Sequence, residues 1–282
     1  MESMQHTAVV TLVLATCLAS SAIAETKKEY RFNVGPKANI SVDTQYGAIS
    51  VKPGSSSQVV VTATLNSDKA EVDTQQRGGR LEIVSHVLSG GDAQTGRIDF
   101  EVQVPTDATL NLRSSTGPLS AEGLKGDLSL EGADAVVDIH DVSNGHVHVR
   151  TMRGPVTLTD VRNGHVEISS ISGDVTLKAV TGPLVQATSG SGKIFYDGDF
   201  GLGGDYKLTT HSGDIEAIVP TSTSADFSAH SMLGAVHNDF PLAPRHSRFS
   251  FAAGSSFFGT VGKAASDVVL RSFSGKIRLK QH

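Results

Sequence analysis

The sequence predicts an all-β chain wound as a single-stranded β-solenoid, β-helix-like, with coils of about 19 residues that lose regularity toward both ends. Three observations predict it: a recurring Gly-x-apolar-x-apolar unit, alternation of apolar and polar residues inside each unit, and a likeness that is strongest at twice the unit spacing. The units read Gly126-Asp-Leu-Ser-Leu130, Gly145-His-Val-His-Val149, Gly154-Pro-Val-Thr-Leu158, Gly164-His-Val-Glu-Ile168 and Gly173-Asp-Val-Thr-Leu177.

Each apolar pair, such as Val147/Val149 or Val166/Ile168, alternates with polar residues, which gives a short strand with one buried face. A further apolar residue two or three positions before the glycine (Leu124, Val142, Met152, Val161, Ile171 or Val180) is expected to plug the corner. Glycine is expected there because it accepts positive φ, and Asn144 and Asn163 beside it are turn formers. An antiparallel meander with Asn-Gly hairpins and a stacked solenoid both use such units. The double spacing favours the solenoid: Asp141-Val-Ser-Asn-Gly-His-Val147 matches Asp160-Val-Arg-Asn-Gly-His-Val166 nineteen residues on, better than either matches the unit between them. In that register Gly117, Ala135, Gly154, Gly173 and Gly192 form a second corner series, with Ala135 in place of a glycine.

Residues 25–282 read as one domain, with regular repeats over 111–217. Residues 25–110 hold less regular strands, at Tyr30–Val34, Asn39–Asp43, Ala48–Val51, Gln58–Thr64, Arg80–Val84 and Arg97–Val104, punctuated by Pro36, Pro53-Gly54, Gly78-Gly79 and Gly90-Gly91. Residues 218–282 carry sparser units at Gly234-Ala-Val236, Gly259-Thr-Val261 and Gly275-Lys-Ile-Arg-Leu279. No segment has helical periodicity.

Residues 1–24 read as a secretory signal peptide: an apolar run from Ala8 to Ala24 ends in Ala22-Ile23-Ala24 and gives way to Glu25-Thr-Lys-Lys-Glu29. The stretch before it lacks Lys and Arg, and an uncleaved anchor is the alternative. Cys17, the single cysteine, falls inside this run, so a cleaved chain has no disulfide. The expected location is outside the cytoplasm, whether periplasm, cell surface or medium, with no stable membrane span after cleavage. The chain has 282 residues, a formal charge of -5 without acidic or basic blocks, 29 glycines and no Trp. That distribution lacks the basic footprint of a nucleic-acid binder.

The chain resembles the bacterial putative-adhesin, or toast-rack-type, domains. The residues that carry the resemblance are Phe100-Glu-Val-Gln-Val-Pro105, Leu110-Asn-Leu-Arg-Ser-Ser-Thr-Gly117, the units above, Thr188-Ser-Gly-Ser-Gly192, His211-Ser-Gly-Asp-Ile215 and Ser272-Phe-Ser-Gly-Lys-Ile277. The resemblance implies an exported or envelope-associated β-solenoid, largely of unknown function, and brings no catalytic residues with it.

The repeat register turns Asp127, Ser129, His146, His148, His165 and Glu167 outward from three consecutive coils. Of these, Asp127, His146, His148, His165 and Glu167 are the candidate metal ligands, since imidazoles and carboxylates at such spacing suit a divalent ion such as zinc. A solvated ladder on a polar face is the simpler expectation, so no metal and no cofactor is expected. Gly203-Gly-Asp205, Ser212-Gly-Asp214 and Ser172-Gly-Asp174 lack the nonapeptide period of calcium-binding rolls and read as turns. No Gly-x-Ser-x-Gly elbow, His-Glu-x-x-His helix or phosphate loop is present. The expected function is a non-catalytic, adhesin-like binding or structural module whose partner is a glycan or an envelope protein. Sensing or assembly with a membrane protein, and polysaccharide processing by paired carboxylates such as Asp127, Asp138, Asp174 and Glu167, are the alternatives.

Overall fold

The computed structural model describes residues 25–244 and 254–282, so the signal-peptide reading and Cys17 lie outside the described residues. Among them the chain forms only strands. They are β1 (Thr26–Asn33), β2 (Asn39–Tyr46), β3 (Ile49–Pro53), β4 (Gln58–Leu65), β5 (Ala70–Arg77), β6 (Arg80–Val87), β7 (Ile98–Val104), β8 (Thr109–Thr116) and β9 (Leu119–Glu122). The regular region supplies β10 (Leu128–Asp134), β11 (Val137–Ser143), β12 (His146–Arg153), β13 (Val156–Arg162), β14 (His165–Ser170), β15 (Val175–Lys178), β16 (Leu184–Ser189), β17 (Ile194–Asp197), β18 (Asp205–Thr210) and β19 (Ile215–Val219). The chain then continues through β20 (Ala225–Ser231), β21 (Val236–Asn238), β22 (Ala243–Pro244), β23 (Ser256–Val261), β24 (Asp267–Ser272) and β25 (Ile277–Gln281).

Each coil places one strand in a 12-stranded sheet and one in a 13-stranded sheet. The parallel run in the larger sheet is β6-β2-β8-β10-β12-β14-β16-β18-β24-β20, matched by β7-β3-β9-β11-β13-β15-β17-β19-β25-β21 in the smaller. The register is the expected one: His146 lies beside His165 and Val156 beside Val175, each nineteen residues apart. Apolar alternates from both sheets meet in one continuous core that includes Leu128, Leu130, Val147, Val149, Val166 and Ile168. Packing two half-buried sheets face to face is what the period-two pattern dictates.

The two ends are not stacked in sequence order. At the amino-terminal end β2 lies between β6 and β8, pairing Asn39 with both Arg80 and Thr109. At the other end β24 and β25 fill the level between β18/β19 and β20/β21, with Asp267 beside both Asp205 and Asp226. The chain therefore leaves a gap one coil high, turns back through the antiparallel β22 and β23, and fills the gap last. Gly259 thus belongs to an antiparallel capping strand and not to a coil. At the opposite end β4 and β5 pair antiparallel with β7 and β6, and β1 with β4. Lys27, Lys28, Glu29 and Arg31 on the edge strand β1 discourage further strand addition.

The corners differ from expectation in two ways. Leu124, Val142, Val161 and Val180 plug the corner that follows the smaller sheet, but Met152 and Ile171, at the corner after the larger sheet, are 52% and 61% exposed. In addition, the left-handed residues near Gly145 and Gly164 are Asp141, Asn144, Asp160 and Asn163, with φ between 53° and 60°, and not the glycines. Glycine is needed there for close approach: a Cβ on Gly145 would overlap the Gly126 carbonyl oxygen of the preceding coil, and one on Gly164 that of Gly145. Where the coil lengthens between β17 and β18, Phe200 stacks on Tyr196 at 4.6 Å and takes over the plug position. Burial pushes the Tyr196 phenol up, and its hydroxyl donates to the Val180 and Asp199 carbonyls at 3.0 and 2.8 Å.

Candidate functional site

The corner after the larger sheet has a construction of its own. Thr44, Ser114, Thr151, Ser170, Ser189, Thr210, Ser231 and Ser272 are all buried, and each stands three residues before a glycine. The Ser170, Ser189, Thr210, Ser231 and Ser272 hydroxyls accept the amide of that glycine at 2.8–3.1 Å. The last four also donate to the corresponding glycine carbonyl of a neighbouring coil: Ser189 to Gly173, Thr210 to Gly192, Ser272 to Gly213 and Ser231 to Gly275. The result is a hydroxyl–glycine ladder along the solenoid. One rung is inverted: the position equivalent to Ser or Thr is Gly132, and the position equivalent to glycine is Ala135. The two changes compensate, since the Ala135 Cβ occupies the space that a Cβ on Gly132 would need.

Because the hydroxyl turns inward, the next residue is forced outward. This places Met152, Ile171, Gly190, His211, Phe273 and Met232 in one row along the rim of the larger sheet. His211 and Phe273 stack with ring centroids 4.7 Å apart. On the sheet face beside the rim lies a second row, Arg150, Ser169, Thr188, Thr209 and Arg271, each residue paired in register with the next. Rim and row enclose two open depressions of about 460 and 590 Å³ that meet at Ile171. The larger is predominantly apolar in its lining, with Ile171, His211, Met232 and Phe273 around it.

The metal-ligand candidates occupy the other side of the same face. Asp127 accepts the backbone amide of His146 at 2.8 Å, His146 and His165 stack at 4.7 Å, and His148 Nδ1 stands 3.5 Å from Glu167 Oε2. They are brought together as pairs. Among the described residues no three His, Cys, Asp or Glu side chains converge on a point where a metal ion could sit. The turn aspartates have a backbone role as well: Asp174 accepts the amide of Lys193 at 2.7 Å and Asp214 that of Lys276 at 2.8 Å, each across to the next coil. Next to the inverted rung, Arg153 pairs with Asp134 and holds its carboxyl below the usual carboxylate range. No helix among the described residues is long and apolar enough to cross a membrane.

The Ser/Thr-x-x-Gly spacing behind the rim is a sequence signal that the Gly-x-apolar-x-apolar unit does not include; it recurs on every strand of the parallel run except β6, where Leu88 follows Ser85, and the inverted β10. Arg271 joins the row that starts at Arg150 only because β24 follows β18 in space and not in sequence.

The family model Toastrack DUF4097 matches residues 38–280. No curated protein matches the chain. Among solved structures, a putative adhesin of Bacteroides fragilis is 10% identical, with 91% of this chain and 98% of that one covered at a TM-score of 0.50, a likeness of fold. A putative cell adhesion protein of Clostridium sporogenes is 13% identical over 91% of this chain and 100% of that one, with a TM-score of 0.29. A putative adhesin of Parabacteroides distasonis is 11% identical over 91% and 97%, with a TM-score of 0.38.

Proposed function

Because the chain belongs to the Toastrack DUF4097 family, we propose that it is an exported, non-catalytic, adhesin-like binding module of the cell envelope. One observation carries this reading: the larger sheet offers an unbroken run of parallel strands whose outward side chains stand in straight rows, one strand spacing of about 4.8 Å apart. Backbone ladders join the levels, and from Ser189 onward the ladder hydroxyls add a bond to the neighbouring coil, so a repetitive partner can be engaged along the array with little ordering cost in the protein. The named fold relative from Bacteroides fragilis is consistent with a surface role. Export rests on the apolar run ending in Ala22-Ile23-Ala24.

Two measurements test the proposal. Mass spectrometry of the protein recovered from the producing cell should give an amino terminus at Glu25, and recovery of the intact chain in the cytosol counts against export. A glycan array and an envelope pull-down should yield a retained partner. Turnover in a hydrolase panel, with nothing retained in either screen, would replace the binding module by an enzyme.

A further inference from the structure

We propose that the rim groove of the larger sheet binds an acidic polysaccharide, laid along the solenoid axis from Arg150 to Arg271; this deepens the binding-module reading and rests on it. The argument begins with charge. Arg113 is committed to Glu131 at 2.6 Å, and Arg153 to Asp134. Arg150 and Arg271 face the same groove and pair with no acid among the described residues. Two acids line the groove: Asp43 lies beyond Arg113, and Glu131 stands in register between Arg113 and Arg150 with its carboxylate taken by Arg113. The stretch from Arg150 onward therefore offers two guanidinium groups to an anion, and a guanidinium fork takes a carboxylate in a bidentate manner.

Spacing supplies the second step. Arg150, Ser169, Thr188, Thr209 and Arg271 are successive register partners on β12, β14, β16, β18 and β24. Four strand spacings separate the two arginines, about 19 Å, which demands a linear ligand several units long. Between them the floor is a row of hydroxyls, and Thr209 Oγ1 is buried there without a hydrogen-bond partner. Ile171 and the stacked His211–Phe273 pair form an apolar rim, and Gly190 leaves a notch at its centre. A floor of hydroxyls, a ring face and carboxylate-binding ends match a chain of sugar rings that carry hydroxyls and carboxylates.

Other polymers fit less well. The strands of this face spend their backbone groups on one another, so an extended peptide cannot add to the sheet and loses its usual source of affinity.

The test uses polygalacturonate, its fully methyl-esterified form, poly-glutamate and oligo-dT as probes in calorimetric titrations of the protein and of the Arg150→Gln/Arg271→Gln variant. Both substitutions are on the surface, and an unchanged melting curve checks the fold. Polygalacturonate should bind, the ester should not, and the variant should bind at least about tenfold more weakly. An Arg77→Gln variant, altered on the terminal strand β5, should match the parent. Equal binding by the groove variant, tighter binding of poly-glutamate or oligo-dT, or no binding of polygalacturonate overturns the proposal. If the last result comes with a partner retained in the envelope pull-down, the groove inference falls and the binding module stands; if nothing is retained there, both fall.

Discussion

Replacing Ser189 by Ala should destabilise the solenoid by about 2–3 kcal/mol, because two buried backbone groups lose their partner at once. The Ser189 hydroxyl accepts the Gly192 amide at 2.9 Å and donates to the Gly173 carbonyl at 3.1 Å, and Ser189 is 1% exposed. A single hydrogen bond contributes about 1 kcal/mol net, but a buried group left unpaired costs about 1–3 kcal/mol. The Ala methyl nearly fills the space of the lost hydroxymethyl, so little relief from solvent is available. Urea unfolding followed by circular dichroism is the assay: the midpoint should fall while the slope stays constant, since the surface exposed on unfolding does not change. Ser191→Ala, an exposed hydroxyl in the same turn, should stay within about 0.5 kcal/mol of the parent. If Ser189→Ala also falls in that range, the ladder is a geometric coincidence and contributes nothing to stability.

Three further outcomes follow from the same geometry. Gly132→Ser alone should cost about 1–3 kcal/mol by overlap with the Ala135 Cβ, whereas Gly132→Ser with Ala135→Gly should cost less than the sum of the two single changes, measured as a double-mutant cycle in urea. Ala179 holds φ 50° where the preceding coils have Asp160 and Asp141, so Ala179→Asn should stabilise by about 0.5–1 kcal/mol, read as a raised melting temperature; an unchanged or lowered midpoint contradicts it. Zinc titrated into the protein and into a His146→Ala/His165→Ala variant should give the same heats, because Asp127 is bound to a backbone amide and His148 to Glu167; a heat lost in the variant would restore a metal site.

The middle of the fold was legible because its stacked neighbours are also sequence neighbours. His146 and His165 share a register that an offset of nineteen residues reveals by inspection. The ends were not, for a topological reason: Asn39 stacks on Thr109 and Asp205 on Asp267, and no short-period comparison connects residues that far apart. What reads as irregular repeats over 25–110 and 218–282 includes coils placed out of sequence order. Strand β5 is not legible in the sequence because Glu71, Asp73, Gln75 and Gln76 leave it with little apolar alternation, as suits an edge. The outward His row could be read from the register alone. The groove could not, since it needs Arg271 and Phe273 beside Thr209 and His211, whereas consecutive stacking would put His230 and Met232 there.

The order of the last coils is the claim on which both groove and topology depend, and a disulfide test addresses it directly. In a Cys17→Ser background, Lys207→Cys with Val269→Cys joins register partners on adjacent strands, about 4.8 Å apart and within disulfide reach. Lys207→Cys with Ser228→Cys joins residues two strands apart, beyond that reach. Oxidation should close the first pair and leave the second as free thiols. Closure of the second pair, with the first left reduced, would mean that the coils stack in simple sequence order and that the interleaved end is wrong.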